Sequence, residues 1–248
     1  MNMFALKIPQ SLLSGIFALL AAIHPAVAGP VHAVVELFTS QGCSSCPPAD
    51  KILSDLAEDP DVLAVSLPID YWNYIGWRDT LASPLFTARQ KAYAAGGGQD
   101  QVYTPQAIIN GLKDAVGGNR AAIEQAEKQT LQTPGVMSVP LNVSVNKAEI
   151  HVSVGDAPAG APSEAEVYLL ALARSETVNI KRGENAGTTL TYTNVVRAII
   201  KIGDWKGDKI ELTADNALAQ VDGADSFAII VQAGGRAQPG AMLAAWGS

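Results

Sequence analysis

The sequence predicts an α/β layer followed by an all-β half, and three observations carry that reading. From Pro30 to about Thr133, strand-like and helix-like patterns alternate, which argues for a sheet with helices packed on its faces. Thr133-Pro134-Gly135 then interrupts the pattern. Beyond it come β-rich runs separated by turns with no convincing helix between them, the signature of a small β-sandwich. The boundaries are residues 29–135 for the first domain and 136–248 for the second. With 48% hydrophobic and 17% charged residues, the 248-residue chain can bury a core.

Residues 1–28 read as a secretory leader. Lys7 is its only charge, the apolar run Leu12–Ile23 follows, and Ala26-Val27-Ala28 offers small residues for cleavage before Gly29. The run is shorter than the ~20 residues a spanning helix needs. The expectation is therefore an exported, periplasmic or secreted protein with no membrane attachment after cleavage, in a compartment that permits disulfides.

Residues 31–38 are β-rich and apolar. Residues 46–58 place Ile52, Leu53, Leu56 and Ala57 on one helical face, with Pro47 and Pro48 in the first turn, where a missing N–H costs nothing. A second strand covers 62–70. A helix over 83–95 stops at Gly96-Gly97-Gly98, a short strand covers 107–110, and a helix over 119–131 is capped by Asn119. In the second half, 141–145 and 148–154 alternate around Asn146-Lys147 as a hairpin, and further strands occupy 166–173, 189–203, 209–213 and 226–232.

Charge and composition exclude some functions. With 17 Lys+Arg against 24 Asp+Glu and no basic cluster, the chain is a poor nucleic-acid binder. Three His and two Cys leave little room for a metal site, and none is expected.

Both cysteines lie in Cys43-Ser44-Ser45-Cys46, between a strand and a helix. The helix N-terminus, with its unpaired N–H groups and macrodipole, favours a thiolate at Cys43. Cys46, one turn on, can attack a mixed disulfide made at Cys43. Zinc would need more ligands, and Cu(I) delivery lacks a nearby His or Met, Met137 being distant in sequence. A structural disulfide closing so short a loop would stabilise little. A redox pair is the preferred reading, with the structural staple as its rival.

The strand–CxxC–helix unit resembles thioredoxin-like proteins, and it is matched by Tyr103-Thr104-Pro105 before the strand at 107–110. That resemblance implies that Pro105 is cis and positions substrate, and that Thr104 offers its backbone to an extended partner. More narrowly, four stretches resemble the exported thioredoxin-like family catalogued as domain of unknown function 1223: ELFTSQGCSSCPPAD (36–50), DYWNYIGWRD (70–79), VYTPQAIING (102–111) and RGENAGTTLTYTNVVR (182–197). Members often carry His two residues before the Asp of the DYW stretch; Pro68 stands there, so no proton relay through that His exists in this chain.

The supporting groups have two readings each. Glu36, in the apolar run VVELF, would have its pKa raised by desolvation if buried, and would then serve as base for Cys46 much as a buried acid does in thioredoxins, where that acid falls one residue nearer its cysteine. A satisfied structural carboxylate is the alternative. Asp50 reads as part of a solvated helix face. Asp70, Tyr71, Trp72 and Trp77 either wall the dithiol or pack between domains. Arg182, Glu184 and Asn185 either reach the redox face or close a turn.

These residues point to an exported thiol–disulfide oxidoreductase in which Cys43 attacks, Cys46 resolves and Pro105 positions a thiol- or disulfide-containing protein substrate. An unknown redox partner would recycle it, and no cofactor is needed because the dithiol carries both electrons. The alternative is a non-catalytic periplasmic binding module on a thioredoxin scaffold with a structural disulfide.

Overall fold

The computed structural model describes residues 31–98 and 101–247 together with Met1, so the predicted leader lies outside the described residues. Among them, no helix is long and apolar enough to cross a membrane.

The first half follows the sequence pattern closely. Strand β1 (Ala33–Thr39) leads through the CxxC turn into α1 (Pro47–Leu56), then β2 (Val62–Pro68), α2 (Pro84–Gly96), β3 (Gln106–Ile109), β4 (Lys113–Val116) and α3 (Arg120–Thr130). Ser83 caps α2 by accepting the Leu85 N–H, with Pro84 at the first position. Asn119 caps α3 by accepting the Ala122 N–H. α2 stops in the glycine run, where Gly98 has φ +70°.

The second half contains β5 (Leu141–Val145), β6 (Glu149–Val154), β7 (Ala165–Asn179), β8 (Thr189–Trp205), β9 (Ile210–Asp215), a 3₁₀ turn at Asn216–Ala219, β10 (Ser226–Gly235) and β11 (Gln238–Gly247). The β5–β6 turn sits one residue later than the sequence suggests. The Asn146 N–H bonds Glu149 O, and the Asn146 side chain accepts from the Ala148 and Glu149 N–H groups, leaving Lys147-Ala148 at the tip.

These strands form an eight-stranded sheet ordered β11-β10-β7-β8-β2-β1-β3-β4 and a separate antiparallel sheet ordered β5-β6-β9. The fold is thus mixed α/β, with a large sheet and a smaller one stacked on part of it. The large sheet continues across residue 135. β8 runs parallel to β2 at Ser66↔Val195, reinforced by Ser66 Oγ donating to Thr193 O and Asn194 Nδ2 donating to Ala64 O.

Strand parity sorts the core onto two faces. On one face Val34, Phe38, Leu67, Phe86, Tyr93, Leu170, Ile230 and Met242 form one cluster under α2 that spans both halves. On the other face, Val35 and Leu37 meet Ala49 and Leu53 of α1 and Ile123 of α3. Beyond them, Leu169, Ile229 and Leu243 meet Ile150 and Val152 of the smaller sheet. A buried ion pair ties the halves together on the α2 face: Arg89 holds Glu36 at 2.7 Å and donates to Gln232 Oε1 of β10 at 2.8 Å.

Candidate functional site

Cys43 and Cys46 form a disulfide with Cα atoms 5.4 Å apart at the start of α1. Cys43 is 3% exposed and Cys46 fully buried, while Ser44 and Ser45 are exposed. The Ser45 hydroxyl lies 3.4 Å from Cys43 Sγ.

The helix start differs from the expected thiolate cradle. Cys46 is the N-cap and Pro47 and Pro48 follow it, so neither of the first two helical residues has an N–H. The Cys46 N–H donates to Cys43 O, and the Ala49 N–H to Cys46 O. The prolines that fit the helix so well have removed the donors a thiolate would use, leaving the macrodipole as the helix's contribution.

Thr104–Pro105 is a cis peptide bond, as the resemblance implies. Pro105 sits close to α1: a Cβ placed on Gly117 would lie 2.6 Å from Leu37 Cδ1, 3.1 Å from Pro105 Cβ and 3.2 Å from Ala49 Cβ. Three elements converge there because Gly117 has no side chain. Among the described residues the Thr104 main-chain N–H and C=O have no hydrogen-bond partner. Its side chain accepts the Trp72 Nε1–H at 2.7 Å.

Trp72 thus links Thr104 to the turn before Cys43, and it also packs against the α2-side core. Its Cβ and carbonyl crowd Gly42, next to Cys43, and its ring stacks on Tyr74, which is 80% exposed. Trp77 donates Nε1–H to Gln41 Oε1 at 2.8 Å. Asp70 is occupied elsewhere: Thr87 Oγ1 donates to its Oδ1 at 2.6 Å, pinning the end of β2 to the first turn of α2.

Glu36 belongs to the opposite face. Parity directs Val35, Leu37 and Thr39 toward α1, and Glu36 toward α2. There it accepts from Arg89 Nε and Nη2 and from Tyr93 Oη, which makes it a satisfied structural carboxylate. The buried acid on the cysteine side is Asp50, one helical turn after Cys46 and 5% exposed, in place of the solvated position expected from the sequence. Thr39 Oγ1 donates to its Oδ1 at 2.7 Å, and its Oδ2 has no partner among the described residues. Burial pushes the Asp50 carboxyl up to about 7, with Thr39 opposing and Asp79 adding to the rise. Asp79 is itself raised by burial, while accepting the Gln41 and Leu81 N–H groups.

Two more residues close the cluster. Tyr192 of β8 is buried with an unpartnered hydroxyl, pushed up by burial and by the charges of Asp50 and Asp79. Asn185, from the β7–β8 loop, donates Nδ2–H groups to Gln41 O and Cys43 O, both at 2.9 Å. That loop also closes on itself, with the Gly187 N–H on Ile180 O; of its polar residues Asn185 is the one that hydrogen-bonds the CxxC turn.

The sequence does carry a signal for Asp50: it lies three residues before Leu53 and four after Cys46, on the buried stripe of α1. Asp79 and Tyr192 carried no local signal, because only long-range folding brings them to the CxxC turn.

Fold and site together define a mixed α/β protein with a CxxC disulfide at a helix start, a cis-proline close to the first turn of that helix and a buried carboxyl one turn after the second cysteine. The chain belongs to the family described as "Protein of unknown function (DUF1223)", whose model matches residues 34–232. It is similar to a crystal structure of protein AGR_C_4864 from Agrobacterium tumefaciens, with 32% identity, 88% of this chain and 93% of that chain covered, and a TM-score of 0.77. A probable thioredoxin from Archaeoglobus fulgidus is 43% identical over 37 residues, 15% of this chain; the match spans 41% of the length of that relative.

Proposed function

We propose that the protein is an exported thiol–disulfide oxidoreductase with a thioredoxin-like redox unit. The observation that carries this reading is the Cys43–Cys46 disulfide at the start of α1, with Pro105 beside Ala49 in the first turn of that helix and the Thr104 main chain unpaired among the described residues. The partial likeness to a probable thioredoxin supports it.

In the oxidising direction a substrate thiolate attacks Cys43 Sγ. The S–S bond breaks, its electron pair goes to Cys46 Sγ, and protonated Asp50, one turn away, is the nearby proton source. A second substrate thiolate then attacks the substrate sulfur of the mixed disulfide, releasing Cys43. The substrate loses two electrons and the CxxC pair gains two. In the reducing direction the same steps run backwards, with Cys43 thiolate attacking and Cys46 resolving. Pro105 and Thr104 hold the partner's extended chain, and Trp72 flanks it.

Burial of both cysteines and the Asn185 clamp on Cys43 O favour a second reading, a binding module with a structural disulfide. A redox titration with thiol alkylation separates the two. A midpoint between roughly −120 and −270 mV supports the catalytic pair, and one below about −300 mV marks a structural staple.

A further inference from the structure

A separate cavity opens away from the disulfide, between the outward side of α2 and the face of β7–β8. It encloses about 580 Å³, within the 300–1,000 Å³ range of small-molecule sites. Leu85, Phe86, Ala88, Ala92, Tyr168 and Ile199 form its largely apolar wall. Leu85 stands 67% exposed at its mouth.

Besides Arg89, which is engaged by Glu36, three cations line the same cavity: Lys91 from α2, Arg197 from β8 and Arg236 from the β10–β11 turn. Among the described residues none of the three has a carboxylate partner. Two of the acids nearby are already engaged, Glu36 by Arg89 and Tyr93, and Glu166 by Lys201 and Tyr168, while Asp222 adjoins Gly223 and forms no ion pair with Arg197. Arg197 is also placed by a β-bulge: Ala171 pairs with Ala198 and Leu172 with Val196, so Arg197 is the extra residue. Bulges of this kind re-aim a side chain. Its guanidinium lies over Gly223, where a Cβ would come within 3.1 Å of Nε, so a side chain there would crowd it. Arg236 Nη2 reaches Ile199 O at 3.5 Å. Three cations without a carboxylate partner beside an apolar wall, in a chain of net charge −7, complement a ligand with a hydrocarbon body and one negative end.

We propose that this cavity binds a free medium-chain alkanoate. The hydrocarbon runs along Leu85, Phe86 and Ile199, and the carboxylate meets Arg197 and Arg236, whose planar guanidinium groups match a carboxylate's two oxygens.

The test is calorimetric titration of the purified chain with sodium dodecanoate, below its micelle concentration, beside dodecanol and dodecyltrimethylammonium. The expected result is saturable one-to-one binding of dodecanoate, about ten-fold or more tighter than either comparator. Arg236→Gln and Lys91→Gln, both at exposed positions, each weaken it several-fold, and Ala88→Trp, which fills the cavity, abolishes it. No saturable heat, equal affinity for the three head groups, full binding by the Ala88→Trp variant, or binding seen only with phospholipid vesicles would each overturn the proposal. The head-group comparison uses the unaltered chain, so it decides even if a variant fails to fold.

Discussion

The residue that most changes the view of the site is Asp50. Its carboxyl is buried, half-satisfied and raised from 3.8 to about 7. Because the folded value lies above the unfolded one, the folded chain holds an extra proton between about pH 4 and 7. The stability it contributes is fully present below pH 4 and is lost as pH rises through 7, on the order of a few kcal/mol. Asp50→Asn keeps an acceptor for Thr39 but cannot ionise. Urea melts at pH 4.5 and pH 8 are expected to show a clear fall for the parent chain and a smaller fall for the variant. Some fall persists because Asp79 is raised in the same sense. An unchanged fall would show that Asp50 is not the group responsible. Glu36 teaches the converse. Burial alone marked it as a candidate base, yet its parity on β1 turns it toward Arg89. Strand parity makes the difference: positions 35, 37 and 39 face α1 and position 36 faces α2.

At the scale of elements, the CxxC turn is held from the far half of the chain. The β7–β8 loop delivers Asn185 to Gln41 O and Cys43 O, so the geometry of the CxxC loop depends on a residue 142 positions away from Cys43 in sequence. Asn185→Ala removes two buried hydrogen bonds, and the expected cost is about 1–3 kcal/mol in chemical denaturation. After mild reduction, Cys43 in that variant should also alkylate several-fold faster, because the loop that buries it loses its clamp. An unchanged alkylation rate would mean that Asn185 supports the fold without governing access. Most elements were legible from periodicity, including α1, α2, α3 and the β5–β6 hairpin. β4 and β11 were not. β4 reads Lys-Asp-Ala-Val with three exposed positions, and β11 contains Pro239, Gly240 and a run of Ala. Both are strands because β3 and β10 supply their pairing, and no local propensity announces that.

At the scale of the whole molecule, the boundary near residue 135 falls between α3 and β5, yet the large sheet and its α2-side core pass through it. A chain ending at residue 135 would uncover β2 where β8 now pairs, and would strip Phe86 and Tyr93 of Leu170, Ile230 and Met242. It would also remove Gln232 from the Glu36–Arg89–Tyr93 network. An unpaired edge and an open core face are severe losses for a domain whose net stability is only about 5–15 kcal/mol. The 29–135 fragment is expected to lack a cooperative melt by circular dichroism, whereas a sharp transition would establish it as an independent domain.

The amino-acid sequence by itself determined most of the helices and strands, β4 and β11 excepted, because periodicity and capping are local. It also determined that both cysteines sit at a strand–helix junction and that Pro105 precedes the next strand. Tertiary structure alone decided which acid backs the disulfide, which loop clamps it, and that two sheet halves join into one. Those outcomes depend on strand register and on pairings between residues far apart in the chain, where each contact is settled by the packing of all the others.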